Sequence, residues 1–128
     1  MSLSDGQDRA SAVACAWLES GRIPHAILIC GAEGTGKRRF ALELAKAVLC
    51  SEDSSYCCDL CPTCRKVDSL QHPDLHTVMP LPPRRGKREA SPDVLREAVV
   101  EYALNGAATP PSNANIAIEH LRQLQKEL

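Results

Sequence analysis

The sequence predicts an α/β fold of the P-loop type, interrupted by a small cysteine-rich insertion. Three observations predict it. Residues 26–30, AILIC, are all apolar, as suits a strand buried on both faces of a parallel sheet. The run G-A-E-G-T-G-K follows at once, and its glycines let the backbone turn N–H groups inward around an anion. Residues 37–49 are then rich in helix formers, so Lys37 opens a helix whose N-terminus adds partial positive charge to the loop.

The elements follow in chain order. Met1-Ser2-Leu3 reads as a cloning remnant and carries no fold information. Residues 7–20 predict a helix with Ala10, Val13, Ala14, Trp17 and Leu18 on one stripe, Trp17 as a core anchor, and Gly21 as the stop. Pro24, which has no N–H to give a ladder, suits the start of the strand. The loop offers Gly31, Gly34, Thr35, Gly36, Lys37 and Arg38 as its phosphate-binding candidates. In the helix behind it, Phe40, Ala41, Leu44, Ala45 and Val48 form the stripe expected to face a sheet.

Residues 51–55 read as a polar surface excursion, and residues 61–70 as a short helix with Pro62 in its first turn. His72-Pro73-Asp74 interrupts that helix, with Asp74 capping or orienting the turn, and residues 75–79 predict a second buried strand. Residues 80–92 hold four prolines together with Arg84, Arg85, Lys87 and Arg88, a composition that buries too little apolar surface to order itself. Ser91 and Pro92 then start a helix running to about residue 104. After a turn-rich connection, Ile116 and Ile118 alternate like a short strand, and residues 119–128 predict a last helix.

Composition narrows the function classes. The chain has 128 residues, 44% of them hydrophobic, which bounds it to one domain or part of one. With 15 basic and 16 acidic residues the net charge is −1, so no whole-chain basic field announces nucleic acid. Aromatic side chains are sparse, which argues against a zinc-ribbon nucleic-acid binder. No apolar run approaches the roughly 20 residues of a membrane helix, and no signal-peptide core is seen, so a cytoplasmic protein is expected. Seven cysteines without an export signal point to metal rather than disulfides.

Cys58-Asp59-Leu60-Cys61-Pro62-Thr63-Cys64 is C-x2-C-x2-C, a spacing that turns successive thiolates toward one point, and Cys50 supplies a fourth. Four sulfurs suit tetrahedral zinc. With every position taken by protein, the site is structural rather than catalytic. Cys57 competes with Cys58, which is preferred because it alone keeps the two-residue spacing to Cys61. Arg65 and Lys66 stand by to offset the negative charge of the thiolates. An iron–sulfur centre is the rival, but its run continues to a C-P that does not follow Cys64. Cys15 and Cys30 read as packing residues, and His25, His72, His76 and His120 as surface or capping residues.

In order along the chain, PHAILICGAEGTGKRR, ALELAKAVLC, CDLCPTC, HPDLHTVMP and IAIEHLRQL resemble the clamp-loader subunits of bacterial DNA polymerase III, of the AAA+ P-loop class. The resemblance implies that residues 1–128 are the N-terminal part of a three-layer parallel-sheet AAA+ domain. A zinc-binding module lies within it at 50–71, and residues 80–115 form an inserted basic, proline-rich loop and helix. It also implies assembly with other clamp-loader subunits, ATPases among them, and through that complex with the sliding clamp and primed DNA; a monomer is compatible with these residues on their own. A hydrolytic P-loop places Ser or Thr after the lysine to bind magnesium, and here Arg38 stands there. The acidic segment that holds the same ion is also not seen in these residues, and the resemblance places it farther downstream. A delta-prime-like subunit that does not itself hydrolyse ATP, and binds it weakly or not at all, is therefore expected. The alternative is an active gamma/tau-type ATPase that tolerates Arg38.

Overall fold

The computed structural model describes residues 8–52, 57–80, 97, 99–100, 114–116 and 118–127. It divides into two compact units, residues 1–75 and 76–128. The first holds the loop and the cysteines.

In the first unit, α1 spans Asp8–Ser20 and ends as expected at Gly21, whose φ of 64° few other residues adopt. Helix α2 spans Lys37–Leu49, the predicted limits. Between them, Phe40 and Leu44 of α2 close over Ala14 of α1, with Cys15, Leu18 and Ile29 packed around. The inward face of α1 is therefore rotated from the expected stripe. Ala14, Cys15 and Leu18 face α2, Ala10 is exposed, and Val13 remains 47% exposed.

The predicted strand at 26–30 forms neither helix nor ladder among the described residues. Leu28 is 87% exposed, and only Ile29 reaches the core. A parallel strand closes no hydrogen bonds of its own and needs a neighbour on at least one edge. The described residues supply none. The same lack explains why Ala41 and Val48, expected to face a sheet, lie exposed on α2.

Helix α3, Pro62–Asp68, is shorter than the predicted 61–70 because the chain turns out of it through a Schellman motif. The Gln71 N–H donates to the Lys66 carbonyl at 2.7 Å and the Leu70 N–H to that of Val67 at 2.9 Å. Leu70 takes the left-handed position, φ 56°, usually held by glycine. Its side chain is buried, as is that of Val67, and this burial offsets the roughly 1–2 kcal/mol that the backbone conformation costs. His72-Pro73-Asp74 forms a turn closed by the Leu75 N–H on the His72 carbonyl, 3.1 Å. His72 is buried, not at the surface, and its Nδ1 accepts the Asp74 N–H at 3.2 Å.

The expected strand over 75–79 likewise joins no ladder among the described residues, with Met79 buried. The expected helix near residues 92–104 falls mostly outside the described residues; 97, 99 and 100 are helical, and Val99 is buried. The basic segment 84–88 lies outside them entirely. Helix α4 spans Ile118–Glu127, so Ile118 opens a helix instead of ending a strand. No helix among the described residues is long and apolar enough to cross a membrane.

Candidate metal centre

The C-terminal end of α2 and the N-terminal end of α3 converge on one point. Cys50 is the residue at which α2 ends, its N–H still donating to the Lys46 carbonyl at 2.9 Å. Cys61 occupies the corresponding place at the start of α3, where its sulfur accepts the Cys64 N–H at 3.4 Å. Pro62 at the first helical position fixes the entry angle without losing a hydrogen bond. One step earlier, the Cys58 sulfur accepts the Cys61 N–H at 3.3 Å. The C-x2-C spacing thus repeats one device twice, a thiol receiving the backbone N–H three residues on.

The result is a cage of four sulfurs, Cys50, Cys58, Cys61 and Cys64, all within 4.8 Å of one another. The Sγ separations are 3.7 Å for Cys50–Cys58, 4.0 Å for Cys50–Cys61 and 3.9 Å for Cys58–Cys64. Metal–sulfur bonds of about 2.3 Å arranged tetrahedrally give sulfur–sulfur edges of about 3.8 Å. The cage therefore has the dimensions of a single four-coordinate ion, and these four residues could hold one.

Cys57 stands apart. It is buried among the cysteines, yet its thiol is directed to the Asp59 carboxylate at 3.6 Å. Burial, reinforced by that carboxylate, pushes it up to about 11. The cage is biased the other way at two of its members. The Cys64 N–H draws the Cys61 thiol down to about 6, and the Cys58 N–H lowers that of Cys50. Cys64, fully buried, is pushed up to about 12 by desolvation. A divalent ion held there would favour the thiolate form of all four.

Arg65 and Lys66 are exposed on α3. The buried cation is Lys46, one turn before Cys50, which pairs with Asp59 at 2.9 Å and with Asp68 of α3. Burial works against its charge, but the two carboxylates outweigh it and hold the ammonium well above the ordinary lysine range. Asp59 is lowered in turn, chiefly by the hydrogen bond from Lys46. Asp59 is a spacer residue of the C-x2-C run, and Lys46 and Asp68 lie outside it. The one sequence signal is that Lys46 and Cys50, four apart on a helix, share a face.

At the other end of α2, Gly34 and Gly36 adopt φ of 78° and 77°, which bends the loop into the helix. A side chain at Gly31 would crowd the Thr35 hydroxyl, 3.1 Å from where its Cβ would sit. The Thr35 hydroxyl and the Lys37 ammonium both donate to the Ala32 carbonyl, the former at 2.8 Å. The two polar side chains that would meet a phosphate are thus engaged with their own loop. Arg38 is exposed in the first turn of α2.

Comparison with known proteins places these features in a family. The family model for "DNA polymerase III, delta subunit" matches residues 6–128. The chain is 44% identical over 63 residues to DNA polymerase III subunit delta' of Bacillus subtilis (strain 168), a stretch covering 49% of this chain and 19% of the relative. It is 31% identical over 73 residues to DNA polymerase III subunit gamma/tau of Mycoplasma pneumoniae, covering 57% of this chain and 11% of that relative. The chain thus spans only a small part of the length of either. No solved structure matches. With its phosphate-type loop, its four gathered cysteines and a family match over nearly all its length, the chain belongs to the DNA polymerase III delta subunit family.

Proposed function

We propose that this chain is the N-terminal part of a delta-prime-like subunit of the replicative DNA polymerase III clamp loader, acting in the cytoplasm. It assembles with ATPase subunits to place the sliding clamp on primed DNA. Residues 1–128 belong to an AAA+ P-loop domain, residues 50–71 are its zinc module, and residues 80–115 are an inserted basic loop and helix. The ion is zinc, held by Cys50, Cys58, Cys61 and Cys64, and its chemistry there is structural: with four protein sulfurs bound, no site remains to activate water.

The single observation that carries the passive role is Arg38 where a P-loop motor has Ser or Thr. A guanidinium cannot ligate magnesium, whereas it can meet an anion. Gly31, Gly34, Thr35, Gly36, Lys37 and Arg38 therefore form a loop that keeps its shape and binds nucleotide weakly or not at all. A second reading, an active gamma/tau-type ATPase, has support from the similarity to the Mycoplasma gamma/tau subunit.

One substitution separates the two. In the intact subunit, Lys37→Ala is expected to leave ATP-driven clamp loading on primed DNA within about twofold of wild type, because the partners supply hydrolysis. A loss of more than about tenfold would establish this loop as a motor and overturn the passive role.

A further inference from the structure

We propose that Lys46 is the positioning residue of the metal centre, a buried ammonium that holds the four thiols in register before and after the ion binds. The inference rests on the reading of the cage as a metal site.

The Lys46 ammonium reaches the turn and helix that carry Cys58, Cys61 and Cys64, and its backbone carbonyl meets Cys50. Its carbonyl accepts the Cys50 N–H at 2.9 Å, which fixes the residue at which α2 ends. Its ammonium meets Asp59 at 2.9 Å, and Asp59 lies inside the turn that separates Cys58 from Cys61. Asp59 has φ of 58°, a left-handed conformation that costs a non-glycine residue roughly 1 kcal/mol even though Asp tolerates it better than most. The ion pair offsets that cost, and the turn then aims Cys58 and Cys61 at one point. The same ammonium pairs with Asp68, the last residue of α3, the helix that carries Cys64.

Electrostatics gives the cation a second role. Four thiolates around a dication leave two negative charges, and Asp59 and Asp68 bring two more to the neighbourhood. Lys46 is the buried cation among the described residues that partners both carboxylates. Removing it would leave like charges facing the cage across a partly desolvated interface. Outer partners of metal ligands typically change affinity by about 10- to 100-fold.

The test uses the full chain, zinc affinity by chelator competition, and the cobalt(II)–thiolate absorption of the substituted site. Lys46→Met is expected to weaken zinc about 10- to 100-fold and to shift the cobalt band, while Lys46→Arg, which retains the charge, recovers most of the affinity. Asp59→Asn, which leaves the helices intact, is expected to weaken zinc about tenfold and serves if Lys46→Met does not fold. Unchanged zinc affinity and cobalt spectrum in Lys46→Met, with only a lower melting temperature, would make Lys46 an ordinary structural ion pair and overturn the proposal. So would unchanged affinity in Asp59→Asn if Lys46→Met does not fold. A wild-type chain that binds no zinc or cobalt would instead remove the metal reading itself.

Discussion

Cys64→Ser is expected to abolish tight zinc binding and to unravel residues 57–71, while Cys57→Ser keeps one bound ion per chain. The asymmetry follows from where the two sulfurs point. Cys64 is fully buried, opens toward Cys58 at 3.9 Å and sits in α3, so a serine there removes a corner of the cage and leaves a poor ligand in its place. Cys57, one residue from the cage, spends its thiol on Asp59. The effect of the first change is large because this part of the unit has little other core. Its buried cluster is Cys57, Cys61 and Cys64, edged by Cys50 and Cys58, with Val67 and Leu70 the nearby buried aliphatic residues of α3 and its exit turn. Structural zinc contributes about 10–16 kcal/mol of apparent binding free energy in small zinc-dependent modules, far more than two aliphatic side chains supply. Metal analysis and circular dichroism of the two variants check this, and equal metal loss in both would contradict the assignment.

Phe40→Ala is expected to destabilise the α1–α2 pair by about 3 kcal/mol or more. Phe40 is the only phenylalanine of the chain and, with Leu44, closes over Ala14, whose side chain is too small to fill the gap. Leu44, Cys15, Leu18 and Ile29 pack in the same cluster, and truncation gives up the contacts of the ring with it. Urea denaturation of the zinc-loaded protein should show the loss as an earlier midpoint, with metal stoichiometry unchanged because the cage is built on the opposite end of α2. A cost below about 1 kcal/mol would mean that this cluster does not hold α1 in place.

The helices and the cage were legible in the sequence because both are written in local spacing. Gly36 and Lys37 mark the start of α2, Pro62 marks the start of α3, and C-x2-C-x2-C carries its own geometry through N–H to sulfur hydrogen bonds three residues apart. The strands were not legible in the same sense. An apolar run such as AILIC states a readiness to be buried, but its ladder depends on distant partners, and among the described residues none pairs with it. The inward face of α1 was misjudged for a related reason. Val13 and Ala14 satisfy overlapping helical stripes, and only the position of Phe40 and Leu44 decides between them. Lys46 was missed because a lysine on an otherwise amphipathic helix reads as solvent-facing, whereas its partners, Asp59 and Asp68, lie 13 and 22 positions farther on. The charge balance around the four-cysteine cage is thus long-range in sequence even though its cysteines are local.

X-ray absorption at the zinc edge of the purified chain tests the central claim most directly. One zinc per chain surrounded by four sulfurs at about 2.3 Å is the expected result, with no nitrogen or oxygen in the coordination shell. A shell containing light-atom ligands, an iron signal in place of zinc, or a chain that takes up no metal would contradict it.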